Sequence, residues 1–244
     1  MPDKHRYWKL FDTKRLTHQR YGEQRIMRGL KEQIDTILEV LPQAGAVGLL
    51  SQLSEFNKIE PLQRAYQDLY GRVGGDFARS QFQRLTGKSK KAESDWIDYM
   101  RNFAIYEAGT RITLVNDVTL NRIRQTLQQG IDQGLGIEKI ARMMEQSNAV
   151  NRIRARVIAR TEIISASNAG SDLGARSTGL NLRKEWLASI DGREREDHAI
   201  ANGQIVGMDE DFIVGGEQAK YPGDPRLSAG QVIQCRCVHL MEQI

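Results

Sequence analysis

Along most of the first 180 positions, apolar residues recur at spacings of three and four. That period restricts this part of the chain to amphipathic helices packed on one another. Ile26, Leu30, Ile34, Ile37, Leu38 and Leu41 share one face, and Pro42, Gly45 and Gly48 are expected to end the helix that carries them. A second helix is expected from Glu60-Pro61, with proline in its first turn and Leu62, Tyr66, Leu69, Val73 and Phe77 inside. Gly74-Gly75 interrupts that stripe and reads as a bend. Beyond the polar loop Thr86–Lys91, a third helix carries Trp96, Tyr99, Met100 and Phe103 on one side. The pattern breaks over 109–116, so Asn116 or Asp117 is expected to cap the next helix, whose face is Leu120, Ile123, Leu127 and Ile131. Gly134 and Gly136 then turn the chain into a short helix, Ile137–Met144. The helix that starts at Ser147-Asn148 is expected to reach Arg176 before Gly179 stops it.

After Gly179 the punctuation changes. Trp186-Leu187-Ala188, Gln204-Ile205-Val206, Phe212-Ile213-Val214 and Gln231-Val232-Ile233 are short apolar runs between turns at Asp191-Gly192, Gly215-Gly216 and Pro222–Pro225. The fold class is therefore α+β: a mainly helical N-terminal body with a small β-rich C-terminal module. Its 244 residues, 40% hydrophobic and 27% charged, suit one large domain or two small ones with a proper core. No uninterrupted apolar run approaches the ~18 residues of a membrane span, and the first residues do not form a signal peptide, so a water-soluble, cytoplasmic chain with no membrane partner is expected. Two cysteines cannot build a disulfide framework. The net charge of +4 is unevenly placed: residues 1–182 hold 28 Lys+Arg against 20 Asp+Glu, and residues 183–244 hold 7 against 11. The excess in front is spread too thinly for a nucleic-acid-binding stripe.

Four groupings could carry chemistry. The helical pair Leu120–Met144 resembles a DNA-reading helix-turn-helix, but Lys139 and Arg142 are the long basic residues its second helix offers, and a packed hairpin accounts for it as well. Arg152, Arg156 and Arg160 lie four apart and form a basic ridge, either a phosphate or acidic-protein contact or a salt-bridged surface. Arg160 and Glu162, two apart, point to different faces. Cys235, Cys237 and His239 would share one side of a strand, with His198 arriving from a helix opposite. That set could hold a structural zinc, although Cys-x-Cys is a tight bite and buried reduced thiols are the alternative. Asp191, Arg193, Arg195 and His198 could also be imagined as a phosphodiester-cleaving set, with histidine as general base. No nucleophile with a recognisable base, phosphate loop or dinucleotide glycine pattern accompanies them, so no catalytic residues are assigned and the chain is not expected to be an enzyme.

The ordered set Ile158-Ala159-Arg160-Thr161-Glu162, Asn168-Ala169-Gly170, Lys184-Glu185-Trp186, Asp191-x-Arg193-x-Arg195-x-x-His198, a Pro-Gly loop and Cys235-Arg236-Cys237 resembles the phage Mu F-like family of minor head proteins, over residues 116–244. Gln234 departs slightly from the family's pattern. The resemblance implies a virion protein of the head interior or portal region, made in the bacterial host cytoplasm during assembly. It also implies roles in head morphogenesis and DNA packaging or ejection. Portal protein and major capsid or scaffold protein are the partners it implies, with DNA bound non-specifically if at all. Arg160, Glu162, Trp186, Asp191, Arg193, Arg195, His198, Cys235 and Cys237 occupy family-motif positions. On this reading residues 1–115 dock onto portal or shell, and 116–244 form the shared domain, helical to 179 and β-rich from 180. The alternatives are a non-specific DNA-binding module and a metal-assisted nuclease or toxin-like enzyme.

Overall fold

The computed structural model describes residues 3–89, 93–147, 149–189 and 192–244. Among them the chain forms ten helices and five short strands, an α+β arrangement. Helix α1 (Lys4–Thr17) is capped by Asp3, whose carboxylate accepts the Arg6 N–H. It leads into α2 (Gln19–Ser51), the single turn α3 (Leu53–Phe56), α4 (Glu60–Thr86) and α5 (Glu93–Tyr106). Then come α6 (Gly109–Asp132), α7 (Ile137–Glu145) and α8 (Arg152–Arg176). The C-terminal module holds β1 (Leu182–Leu187), α9 (Glu196–Ala201), β2 (Ile205–Gly207), β3 (Phe212–Val214), β4 (Glu217–Ala219), α10 (Ala229–Val232) and β5 (Val238–Gln243). β1 lies between β2 and β5, antiparallel to both, with Trp186 opposite His239. β3 and β4 form a separate hairpin.

Helix α8 is the axis of the molecule. From Thr161 to Ala175 nearly every residue is buried, including Ser165, Ser167, Asn168 and Ser171. It packs along α4 so closely that a Cβ at Gly170 or Gly174 would overlap the carbonyl of Gly74 or Ala78. Gly74-Gly75 is therefore no bend. α4 runs unbroken through it, and the two glycines admit the side chains of Met100 and Ile97 from α5.

Other expectations also shift. α2 does not stop at Pro42; helical structure continues to Ser51 across one break at Gly45 (φ 65°, ψ 166°). The expected break over 109–116 is absent, because α6 runs continuously from Gly109. Asn116 is buried mid-helix and accepts from Gln33 and Asn57 instead of capping. α8 is capped by Asn151, through the Arg154 N–H, and not by Ser147; Asn148 lies outside the described residues. The run Gln231-Val232-Ile233 begins in α10 and forms no strand.

The largest core joins Phe11 of α1, Ile26 and Leu30 of α2, the inner faces of α4, α5 and α8, and Val238 and Leu240 of β5. Residue 115 lies inside α6, and this core draws on both sides of it. A second core fills the C-terminal module around Trp186, Phe212, Val214, Cys235 and Cys237. A third joins Ile34, Ile37, Leu41 and Leu49 of α2 to α6 and α7. By length and composition α2 is apolar enough to cross a membrane, with mean hydropathy 1.2 in an 18-residue window, although no uninterrupted apolar run announced it. Isoleucine, leucine and valine supply that character between polar interruptions, and Asp35 and Glu39 are the charges between Ile34 and Ser51.

Candidate metal centre

Three of the four candidate metal ligands converge. α9 carries His198 into the second core, where it is buried against Trp186, the two rings meeting edge to face at 5.8 Å. The cysteines arrive through an unusual turn. α10 ends at Val232, and Gln234 adopts φ 57°, the left-handed region disfavoured for a residue with a side chain. Its N–H is taken by the Thr161 hydroxyl at 3.1 Å. That turn folds Cys235 and Cys237 back beneath α9 before β5 begins, so they lie in coil and not in the expected strand. His198 Nδ1 lies 3.2 Å from Cys237 Sγ and 3.6 Å from Cys235 Sγ, and the three ligand atoms sit within 4.8 Å of one another.

The other face of His198 is fixed by an outer chain. Gln231 donates through Nε2 to Asp197 Oδ2 at 2.7 Å, so its carbonyl oxygen faces the imidazole and accepts from His198 Nε2 at 2.9 Å. In the neutral ring Nδ1 is then left with its lone pair toward the two sulfurs. Around the sulfurs, the Cys237 N–H donates to Cys235 Sγ at 3.4 Å. The Ser189 backbone N–H favours the Cys237 thiolate, and the Trp186 indole N–H is buried with no hydrogen-bond partner. The thiols divide their protons unevenly: the hydrogen bond from Cys237 holds Cys235 well down, and the same bond together with burial holds Cys237 up. Burial alone would lower His198, but the Cys235 sulfur outweighs it and raises the ring.

His239 does not join them. Its Nδ1 lies 3.1 Å from Asn168 Oδ1, its ring stacks on Tyr221, and burial holds it neutral, well below the usual histidine range. Asn168 in turn donates to the Cys237 carbonyl at 3.2 Å, so α8 supports the cysteine turn from behind.

The remaining motif positions scatter. Glu162 is buried on another side of α8, accepting from Tyr70 at 2.6 Å and pairing with Arg111 at 3.3 Å, while Arg111 also reaches the Gly223 carbonyl at 2.7 Å. Arg160 is half-buried on the same helix. Of the basic ridge, Arg156 pairs with Glu23 of α2 at 3.2 Å. Arg193 is exposed, Arg195 donates to the Ile233 carbonyl at 2.6 Å, and Asp191 lies outside the described residues. With His198 enclosed and Arg195 tied to backbone, the imagined phosphodiester set does not gather around an accessible base.

Sequence reasoning missed Gln231, Asp197, Asn168 and Thr161, the residues that orient the ligands. For Thr161 and Asn168 the available signal was a polar residue at a helix position that the period alone makes interior. It also missed Arg154, which donates to the Val115 carbonyl and Thr119 hydroxyl and pins α6 to α8.

Comparison with known proteins adds a family. Residues 121–240 match the family described as phage Mu protein F like protein. The uncharacterized protein YqbB of Bacillus subtilis (strain 168) is 30% identical over 120 residues, covering 48% of this chain and 39% of its own length. The minor head protein GP7 of Bacillus phage SPP1 is 32% identical over 122 residues, 48% of this chain and 39% of GP7. The NAD(+)–arginine ADP-ribosyltransferase EFV of Enterococcus faecalis (strain ATCC 700802 / V583) is 27% identical over 192 residues, 74% of this chain and 38% of that protein. The chain thus spans about two fifths of the length of these relatives. No solved structure matches it.

Proposed function

Residues 121–240 belong to the phage Mu protein F like family, and from that premise we propose that the chain is a minor head protein of a tailed phage or prophage, acting in head assembly beside the portal. The observation that carries this reading is the family match together with the likeness to a minor head protein over 122 residues. In this role the chain resides in the virion and is made in the host cytoplasm. Residues 116–244 supply the shared module and 1–115 supply most of the docking surface, for portal and for capsid or scaffold protein.

The second half of α2 supports a docking role. Its large apolar residues Ile34, Ile37, Leu41 and Leu49 are buried in the third core, and Val47, 68% exposed, is the large apolar side chain it turns to solvent. DNA passing nearby would meet a groove of about 630 Å3 between α2 and α8, lined by Arg20, Arg25, Arg28 and Arg152. Such backbone-type contacts carry no sequence reading and weaken with salt.

An enzymatic reading has one observation behind it, the likeness to EFV. That protein's name states a transferase activity, but this chain covers 38% of it. We favour the assembly role and expect no ADP-ribosyl transfer from this chain.

The test is co-purification of the intact chain with the portal protein of its own phage. Val47→Glu, at a residue facing solvent, is expected to lower recovery at least tenfold while leaving the melting temperature unchanged. Full recovery of that variant overturns α2 as the docking helix, and failure of the unaltered chain to co-purify overturns portal association.

A further inference from the structure

We propose that His198 Nδ1, Cys235 Sγ and Cys237 Sγ bind one zinc ion, which clamps α9 to the turn leading into β5. This goes beyond the assembly role and does not depend on it.

Geometry is the first argument. A tetrahedral ion with Zn–S near about 2.3 Å and Zn–N near about 2.0 Å holds those ligand atoms about 3.5 Å apart. The two nitrogen–sulfur separations here, 3.2 and 3.6 Å, bracket that edge. The tautomer is the second. Zinc binds the lone pair of a neutral imidazole whose other nitrogen donates to an oxygen acceptor, itself held by further hydrogen bonds. Asp197, Gln231 and His198 form such a relay, ending with Nδ1 directed at the sulfurs.

Charge is the third. The cluster is buried among Trp186, Phe212 and Val214, where an isolated ion would be costly. Two thiolates and a neutral imidazole exactly offset a divalent cation, so the loaded site carries no net charge. Loading releases the thiol protons to solvent, and the Cys237 N–H, 3.4 Å from Cys235 Sγ, stabilises the sulfur charge gained. Two sulfurs and one imidazole select a soft or borderline ion, zinc before magnesium or calcium. Among the described residues no fourth Cys, His, Asp or Glu joins the group. His239, held by Asn168, stays outside.

The experiment uses the full chain, purified without chelator from zinc-supplemented medium. Metal analysis is expected to give about one zinc per chain. Cobalt exchanged into the site is expected to show sulfur-to-cobalt charge-transfer absorption and the visible bands of a four-coordinate ion. Both signals should fall at least tenfold in Cys235→Ala/Cys237→Ala and persist in His239→Gln. Chelator treatment of the unaltered chain should lower its melting temperature by several degrees, reversibly on adding zinc, so the proposal stands on wild-type protein if a variant fails to fold. A folded, metal-free chain whose melting temperature ignores zinc would overturn it and leave a hydrogen-bonded thiol–imidazole cluster. So would zinc that the double cysteine variant retains, or cobalt bound without sulfur absorption.

Discussion

At the scale of single residues, the buried polar groups of α8 decide more than its apolar ones. Glu162 sits among Tyr70 and Arg111 with almost no solvent access, and Arg111 ties it to the Gly223 loop. Glu162→Gln leaves the Arg111 charge buried without its counter-ion. Removing one partner of such a pair costs about 3–5 kcal/mol, and denaturant unfolding is expected to show a loss of that order. A second pair titrates. Burial alone would raise the Asp76 carboxyl, but the His18 ring and Lys14 ammonium outweigh it and bring it down to about 2. A depressed carboxylate contributes stability above its unfolded value of about 3.9, and that contribution is lost as pH falls toward the folded value. Stability should therefore drop between about pH 4 and about pH 2, by on the order of 1–2 kcal/mol after screening, and Asp76→Asn should remove that part of the slope. Neither pair was legible in the sequence. Glu162 stood out only as a motif position, and its partner is 51 residues away on another helix. His198, Cys235 and Cys237 were legible as ligand types with plausible convergence. Gln231 and Asp197 were not, because an outer relay has no spacing of its own.

At the scale of elements, periodicity revealed the helices but misread their interruptions. Gly74-Gly75, Gly170 and Gly174 look like weaknesses in a helix and serve as contact surfaces, a distinction that depends on a partner helix invisible to local sequence. Gly174→Ala would press a methyl group into the Ala78 backbone, which a flexible side chain cannot relieve. Overpacking of this kind costs about 1–3 kcal/mol, and thermal unfolding is expected to register it. Gly45 is different: nothing crowds it, but its φ of 65° with ψ 166° is a conformation that costs other residues about 1–3 kcal/mol. Gly45→Ala should either lose that stability or straighten α2, and circular dichroism at matched temperature separates the two by a gain in helicity. Asn116 misled for a related reason: cap-forming residues also serve as buried donors and acceptors, and Gln33 and Asn57 claim it.

At the scale of the whole molecule, the first helix joins α4, α6 and α8 in holding the helical body to the β-rich module. From α1, Lys4 pairs with Glu185 at 2.7 Å, Tyr7 donates to the His239 carbonyl and Trp8 to the Arg236 carbonyl, both at 3.2 Å. α1 thus closes over the cysteine turn and the start of β5. The main core likewise runs from Phe11 to Leu240. Residues 116–244 alone would expose the faces of α6 and α8 that α2 and α4 cover, and are expected to show a broad, non-cooperative melt where the full chain melts sharply. The charge division has a local counterpart: Arg20, Arg25, Arg28 and Arg152 line the α2–α8 groove, and the acidic module is braced by its own pairs, Arg226 with Asp211 at 2.9 Å among them. The most direct measurement is the amount of this chain, relative to major capsid protein, in heads purified from its phage or induced prophage. The assembly role predicts a small, constant ratio in heads separated from tails and free protein. Heads that lack the chain, while lysate contains it, would contradict the account.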